Sequence, residues 1–270
     1  MACRKSLETH GGEDGMMRYS PDPSVPATAG TEAPGLLFGT DCVAPADERL
    51  QNNLELFEWM VRNKEYPVFC GRNITGADCL TPEEAVFLHT KGVKIAAVFP
   101  PDSGEMLTET EGRLCAYRAV LRAAELKIPG KCAIFLDIRN DTPVSAGFLY
   151  GYASALSREG YVPAFRADTD ANSAFARKFS RGTELYPELS DTCLVWATSP
   201  ILPEYDSMTS SHFISPDNWN PCAPAGTESS RIAIWQYGKN CHPIGTDNGR
   251  TTTFNLDLIR NMRILIENLF

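Results

Sequence analysis

The chain is poor in histidine, with four in 270 residues, and none of its nine cysteines forms a Cys-x-x-Cys pair. A structural zinc site gathers four thiolate or imidazole ligands at short spacings, so this pattern argues against one, and no metal or other cofactor is expected. Basic charge is also short: 25 Lys and Arg stand against 34 Asp and Glu, a formal charge of −9. That balance offers no electrostatic footprint for nucleic acid or an anionic membrane surface. No apolar run approaches the roughly 20 residues that span a bilayer. The opening MACRKSLETHGGEDGMMRYS lacks the apolar core of a secretory leader. The compartment therefore stays open between the cytoplasm and export without a recognisable signal.

What is present is enough apolar sequence, 43%, for one large core. Cys42, Cys70, Cys115, Cys132 and Cys193 sit in apolar or periodic stretches and read as buried free thiols. Cys222 and Cys241 lie in loop-like sequence and are the pair to join if the compartment is oxidising, although an odd total favours reduced thiols.

Residues 1–35 are polar and end in SPDPSVPATAGTEAPG, so they read as a disordered arm that cannot bury enough surface to order itself. From residue 36 to 270 the pattern alternates. LLFGTDC, YPVFCGRNI, KIAAVFPP, CAIFLDIRN, YVPAFRAD, CLVWATSP and RIAIWQYG read as strands. Between them lie helical stretches, the first over ERLQNNLELFEWMVRN, and a Pro/Asn/Ser-rich insertion before the last strand. TPEEAVFLHTKG carries Thr81 as N-cap, Pro82 in the first turn and Gly92 as C-cap. FNLDLIRNMRILIENLF reads as a closing helix. Apolar strands alternating with helices over this length predict a (β/α)₈ TIM barrel, possibly irregular. A doubly wound sheet is the alternative, but GTDCVAPADE is no Gly-rich phosphate loop.

In such a barrel chemistry gathers at the carboxyl ends of the strands. Those ends supply Asp41, Arg72, Asn73, Asp102, Asp137, Arg139, Arg166, Asp168, Trp196, Trp235, Gln236 and Tyr237. Carboxylates, arginines, amides and aromatic faces are what a sugar site is built from. Each also has a plain structural role: a strand tryptophan packs, and Asp41 or Asp168 could cap the next helix. Asp137 is harder to explain that way, because it ends CAIFL and Arg139 follows two residues later on what should be the same strand face.

Taken in order, GTDCVAPADE, VFCGRNITGADCLTPEEAVFLHTKGVKIAAVFP, CAIFLDI, GYASALSREGYVPAFRAD, CLVWAT and IAIWQYG followed by FNLDL resemble the glycoside-hydrolase-like barrels related to family 25 lysozyme-type muramidases. The resemblance covers about residues 36–260 and implies a barrel acting on, or binding, bacterial cell-wall glycan or peptidoglycan. It implies Asp41, in Gly39-Thr40-Asp41, and Asp137 as catalytic residues. Arg139, Asp102, Arg166, Asp168, Trp196, Trp235, Gln236 and Tyr237 would then be substrate contacts.

Two positions depart from the family pattern. The central Asp-x-Glu or Asp-x-Asp pair reads Asp137-Ile138-Arg139, and Asn255 stands where an acid opens the late segment. Glycoside hydrolysis uses a protonated acid and a second carboxylate, whereas an arginine at i+2 would hold Asp137 ionised. Three functions stay open: a muramidase-type hydrolase, a barrel that binds glycan without cleaving it, and an interaction scaffold. The hydrolase would take its acid from Asp41, Asp102, Glu105 or Asp168. The spacing further predicts that Asp41, Asp137, Arg139 and Trp235 converge on one mouth.

Overall fold

The computed structural model describes residues 35–270 except 51, 64, 102–105, 141, 203–206, 209–215, 217 and 244–251. Residues 1–34 of the expected arm, Asp102, Glu105 and part of the long insertion lie outside the described residues.

The chain runs β1 (Leu37–Cys42), α1 (Leu56–Asn63), β2 (Phe69–Asn73), α2 (Pro82–Thr90), β3 (Lys94–Phe99), α3 (Glu109–Glu125), β4 (Ala133–Ile138) and α4 (Ala146–Arg158). It continues through β5 (Val162–Ala167), α5 (Ala174–Leu185), α6 (Glu188–Thr192), β6 (Leu194–Thr198), β7 (Ser207–Met208), β8 (Ile232–Pro243), β9 (Phe254–Ile259) and α7 (Met262–Asn268). Strands β1 to β6 lie side by side in parallel, and β6 pairs parallel with β8. β9 then runs antiparallel to both β8 and β1, which closes the cylinder. The expected barrel is present, with one strand reversed, and closure excludes the doubly wound sheet.

Hydroxyl caps start α2 to α5. Thr81 Oγ1 accepts the Glu84 N–H at 3.1 Å with Pro82 in the first turn, and Thr108 with Glu111 forms a reciprocal capping box on α3. α2 is capped by Lys91, not Gly92; the glycine follows at φ +73°, the left-handed position past the helix end. Two further readings are corrected. α1 begins only at Leu56, because Arg49 bridges antiparallel to Glu55 and the Leu50 N–H donates to the Leu54 carbonyl, pairings that a helix does not make. The expected closing helix is a strand followed by seven helical residues. FNLDLI alternates apolar and polar side chains with period two, which suits a strand with two different faces.

That alternation divides the core. Lumen-facing Phe69, Ala96, Val98, Ala133, Phe135, Ala164, Trp196, Ile234 and Ile259 fill the cylinder, and Ile264, Leu265 and Leu269 pack beneath them. Phe270 fastens this plug to β3: its N–H donates to the Ile95 carbonyl at 3.0 Å, and its carbonyl accepts the Ile95 N–H at 2.8 Å. The amino end of the barrel is thereby stoppered. The opposite strand faces pack on the helices in a larger apolar layer.

Candidate functional site

Arg166, on the lumen face of β5, is the centre of a polar cluster at the carboxyl end. Its Nη1 donates to Asp137 Oδ1 at 3.0 Å, and its Nη2 donates to Asp41 Oδ2 at 2.5 Å and Gln236 Oε1 at 2.9 Å. Four strands thus meet at one guanidinium. Asn255 Nδ2 from β9 donates to the same Asp41 oxygen at 3.0 Å. Below, the guanidinium carbon lies 5.2 Å from the centre of the Trp196 ring, a cation–π contact. The indole N–H donates to Asp257 Oδ1 at 2.9 Å. Gly71 on β2 makes room for this stack: a Cβ there would fall 2.4 Å from the indole edge and 2.7 Å from Asp41 Cβ.

The two upper carboxyls have different surroundings. Burial pushes the Asp41 carboxyl above its ordinary range, against the opposing pull of Arg166 and Asn255. Its side chain is 10% exposed, whereas that of Asp137 is 22% exposed. Asp257 is held well above the usual carboxylate range by burial, reinforced by the charge of Asp41. Burial acts to depress the Arg166 guanidinium, but the Asp41 and Asp137 charges outweigh it and keep the group protonated. Arg166 Nε and Asp257 Oδ2 are buried without a partner among the described residues.

Of the residues expected at the mouth, Asp41, Asp137, Arg166 and Gln236 come together. Arg139 does not pair with Asp137: β4 ends at Ile138, Arg139 is exposed in the following turn, and Arg166 from the next strand takes the carboxylate. Asp168 caps neither helix nor cluster; its Oδ2 accepts Asn140 Nδ2 at 3.1 Å, and Ser173 caps α5. Trp196 is in the lumen but 0% exposed, so it is a floor and not a stacking platform. Trp235 and Tyr237 leave the site altogether. They lie in the outer layer, Trp235 1% exposed with its N–H on the Ser199 carbonyl at 3.0 Å. Strand parity requires this, because Gln236 between them faces inward. Cys222 is exposed and Cys241 buried, and both are free thiols, so the expected pair does not form. Sequence reasoning missed Asp257; the signal was the alternation of Asn255 and Asp257 with apolar neighbours.

Fold and cluster together define a mixed β/α barrel with a carboxylate–arginine centre at the carboxyl ends of its strands. No protein-family model and no curated protein matches the chain. An uncharacterized protein of B. stearothermophilus superposes with a TM-score of 0.70 at 21% identity, covering 87% of this chain and 100% of that one. The Mycobacterium tuberculosis Tat-secreted protein Rv2525c, in complex with L-tartrate, gives 0.51 at 14% identity over 83% of this chain and 95% of its own. These likenesses show the fold. A bacterial lysozyme from Streptomyces coelicolor gives 0.46 at 11% identity over 85% and 95%, an overlap too loose to carry an assignment.

Proposed function

We propose that the protein is a glycoside-hydrolase-like barrel acting on bacterial cell-wall glycan, with Asp41 and Asp137 as its working carboxyl groups. The observation that carries this reading is the meeting of two carboxyls from β1 and β4 on one guanidinium, one more buried than the other. Pairs of carboxyls whose environments differ divide into an acid and a charge stabiliser. Asp41 is the acid. Its Oδ2 accepts from Arg166 and Asn255, while Oδ1 carries no hydrogen bond among the described residues and is the oxygen to hold the proton. Asp137 offers its second oxygen to the positive charge that develops at the sugar carbon as the bond breaks. The acid missing at position 139 is thus supplied from β1. Arg139, Asp168 and Gln236 serve as polar contacts to sugar hydroxyls around the mouth, and Arg139 also suits a sugar-borne carboxylate.

Arg166 favours a second reading, a barrel that binds glycan without cleaving it, because it neutralises both carboxylates at once. Clearing of purified peptidoglycan, with co-sedimentation measured in parallel, separates the two. The parent should clear the suspension, and Asp41→Asn and Asp137→Asn should each lose more than about tenfold in rate while still sedimenting with it. Binding without clearing selects the second reading; neither binding nor clearing overturns both.

A further inference from the structure

We infer that Asp257 is a positioning residue for the Arg166 clamp and works as an uncharged carboxyl; the inference rests on the reading of Asp41 and Asp137 as the working pair. Asp257 is 0% exposed on β9. It lies opposite Gly39 of β1 and Gln236 of β8, one lumen layer below Asp41. Its Oδ1 receives the Trp196 indole N–H at 2.9 Å, and its Oδ2 meets no donor. A buried carboxylate with one hydrogen bond is poorly compensated, whereas a neutral carboxyl tolerates that setting better. The groups around it are Asp41 and Cys42 from β1, Arg166 from β5 and Cys241 from β8. The one cation among them spends both terminal nitrogens on Asp41, Asp137 and Gln236, and its Nε makes no hydrogen bond to Asp257. Burial also drives its carboxyl toward the protonated form, against the opposing charge of Arg166.

The consequence passes upward through contacts. Phe69 and Phe135 meet the Trp196 ring edge-to-face at 6.4 and 5.4 Å, but only Asp257 receives its N–H. The ring is the surface on which the Arg166 guanidinium lies. Without the acceptor, a buried N–H is stranded and the ring turns to satisfy it, taking the clamp with it.

The test compares Asp257→Leu, which removes the acceptor, with Asp257→Asn, which keeps an acceptor and stays neutral at every pH. In the full chain, Asp257→Leu should lower peptidoglycan clearance more than tenfold and shift the Trp196 indole N–H resonance. Asp257→Asn should restore both toward the parent. Carbon-13 spectra of aspartate-labelled parent should show a protonated carboxyl at neutral pH that is missing from Asp257→Asn, whatever the state of Asp41. If Asp257→Leu does not fold, the smaller Asp257→Ala, which also removes the acceptor and leaves the indole N–H unpaired, should carry the same loss. An ionised Asp257 signal, an asparagine variant as damaged as the leucine one, or an unmoved indole resonance in Asp257→Leu overturns the inference. A parent that never clears peptidoglycan sinks only the hydrolase reading, since the two spectroscopic readouts do not require turnover.

Discussion

At the scale of single residues, one arginine decides which side chains matter. Arg166 gathers Asp41, Asp137 and Gln236, and all four were legible because each stands at the carboxyl end of an apolar strand. Trp235 and Tyr237 were misassigned for a reason the sequence already contained, since neighbours of an inward Gln236 must face outward. The i,i+2 argument failed at Arg139 because the strand stops at Ile138, and parity holds only while the strand lasts. The cluster also fixes a pH effect. Asp41 and Asp257 ionise later in the folded chain than in the unfolded one, where their ordinary value is 3.8. Below that value both states hold the protons and nothing is lost. As pH rises through it, the unfolded chain releases protons first, so these two groups take stability away until the folded carboxyls ionise as well. Asp257→Asn removes one of them. Its melting temperature relative to the parent should therefore climb between about pH 3 and about pH 7, as followed by scanning calorimetry. A relative melting temperature that falls over that range would mean the carboxyl is ionised and stabilised.

At the scale of elements, the signals that survived were local ones. Thr81-Pro82 opens α2 through its own backbone, and the short apolar strands needed no partner to be recognised. β9 was lost because apolar spacing in FNLDLIRNMRILIENLF also fits a helix, and only barrel closure decides between them. Arg72 shows a strand-end residue with a structural task. It faces the outer layer, fully buried, with Nε 2.6 Å from Glu84 Oε1 and Nη2 3.0 Å from Oε2. Nη1 donates to the carbonyls of Cys42 and Val43, and Nη2 also donates to that of Asp78. Glu84 Oε1 in turn accepts the Ala46 N–H at 2.8 Å. One ion pair therefore ties α2 to the loop that follows Asp41. Removing one member of a buried pair strands the other, so Glu84→Ala should cost about 3–5 kcal/mol in urea unfolding. It should also weaken the site by freeing the β1–α1 loop. A loss under about 1 kcal/mol would show that water replaces the carboxylate, as at an exposed pair.

At the scale of the whole molecule, the two ends of the chain should differ sharply in what they contribute. β1 begins at Leu37, and its ladder partners are Ile259 to Phe254 on one side and Phe69 to Gly71 on the other, all beyond residue 36. Residues 1–33 are polar and hold no apolar period, so we propose that they are dispensable for folding. A chain starting at Pro34 should melt within a degree or two of the full one. The other end is part of the core. Leu269 is buried against the lumen cluster, and Phe270 exchanges two backbone hydrogen bonds with Ile95 while its ring meets His89 edge-on at 4.7 Å. Cutting Leu269 to alanine removes a buried side chain from the stopper of the barrel, a change of about 2–5 kcal/mol. For a chain of this size that corresponds to about 2–4 °C of melting temperature per kcal/mol. Deleting residues 269–270 should cost more, because the hydrogen bonds to β3 go as well and the lumen opens to water at its amino end. Thermal melts of the two truncated chains and Leu269→Ala, measured together, check the asymmetry. Equal losses at both ends would mean that the arm is packed against the barrel, and an unaffected Leu269→Ala would mean that α7 does not seal it.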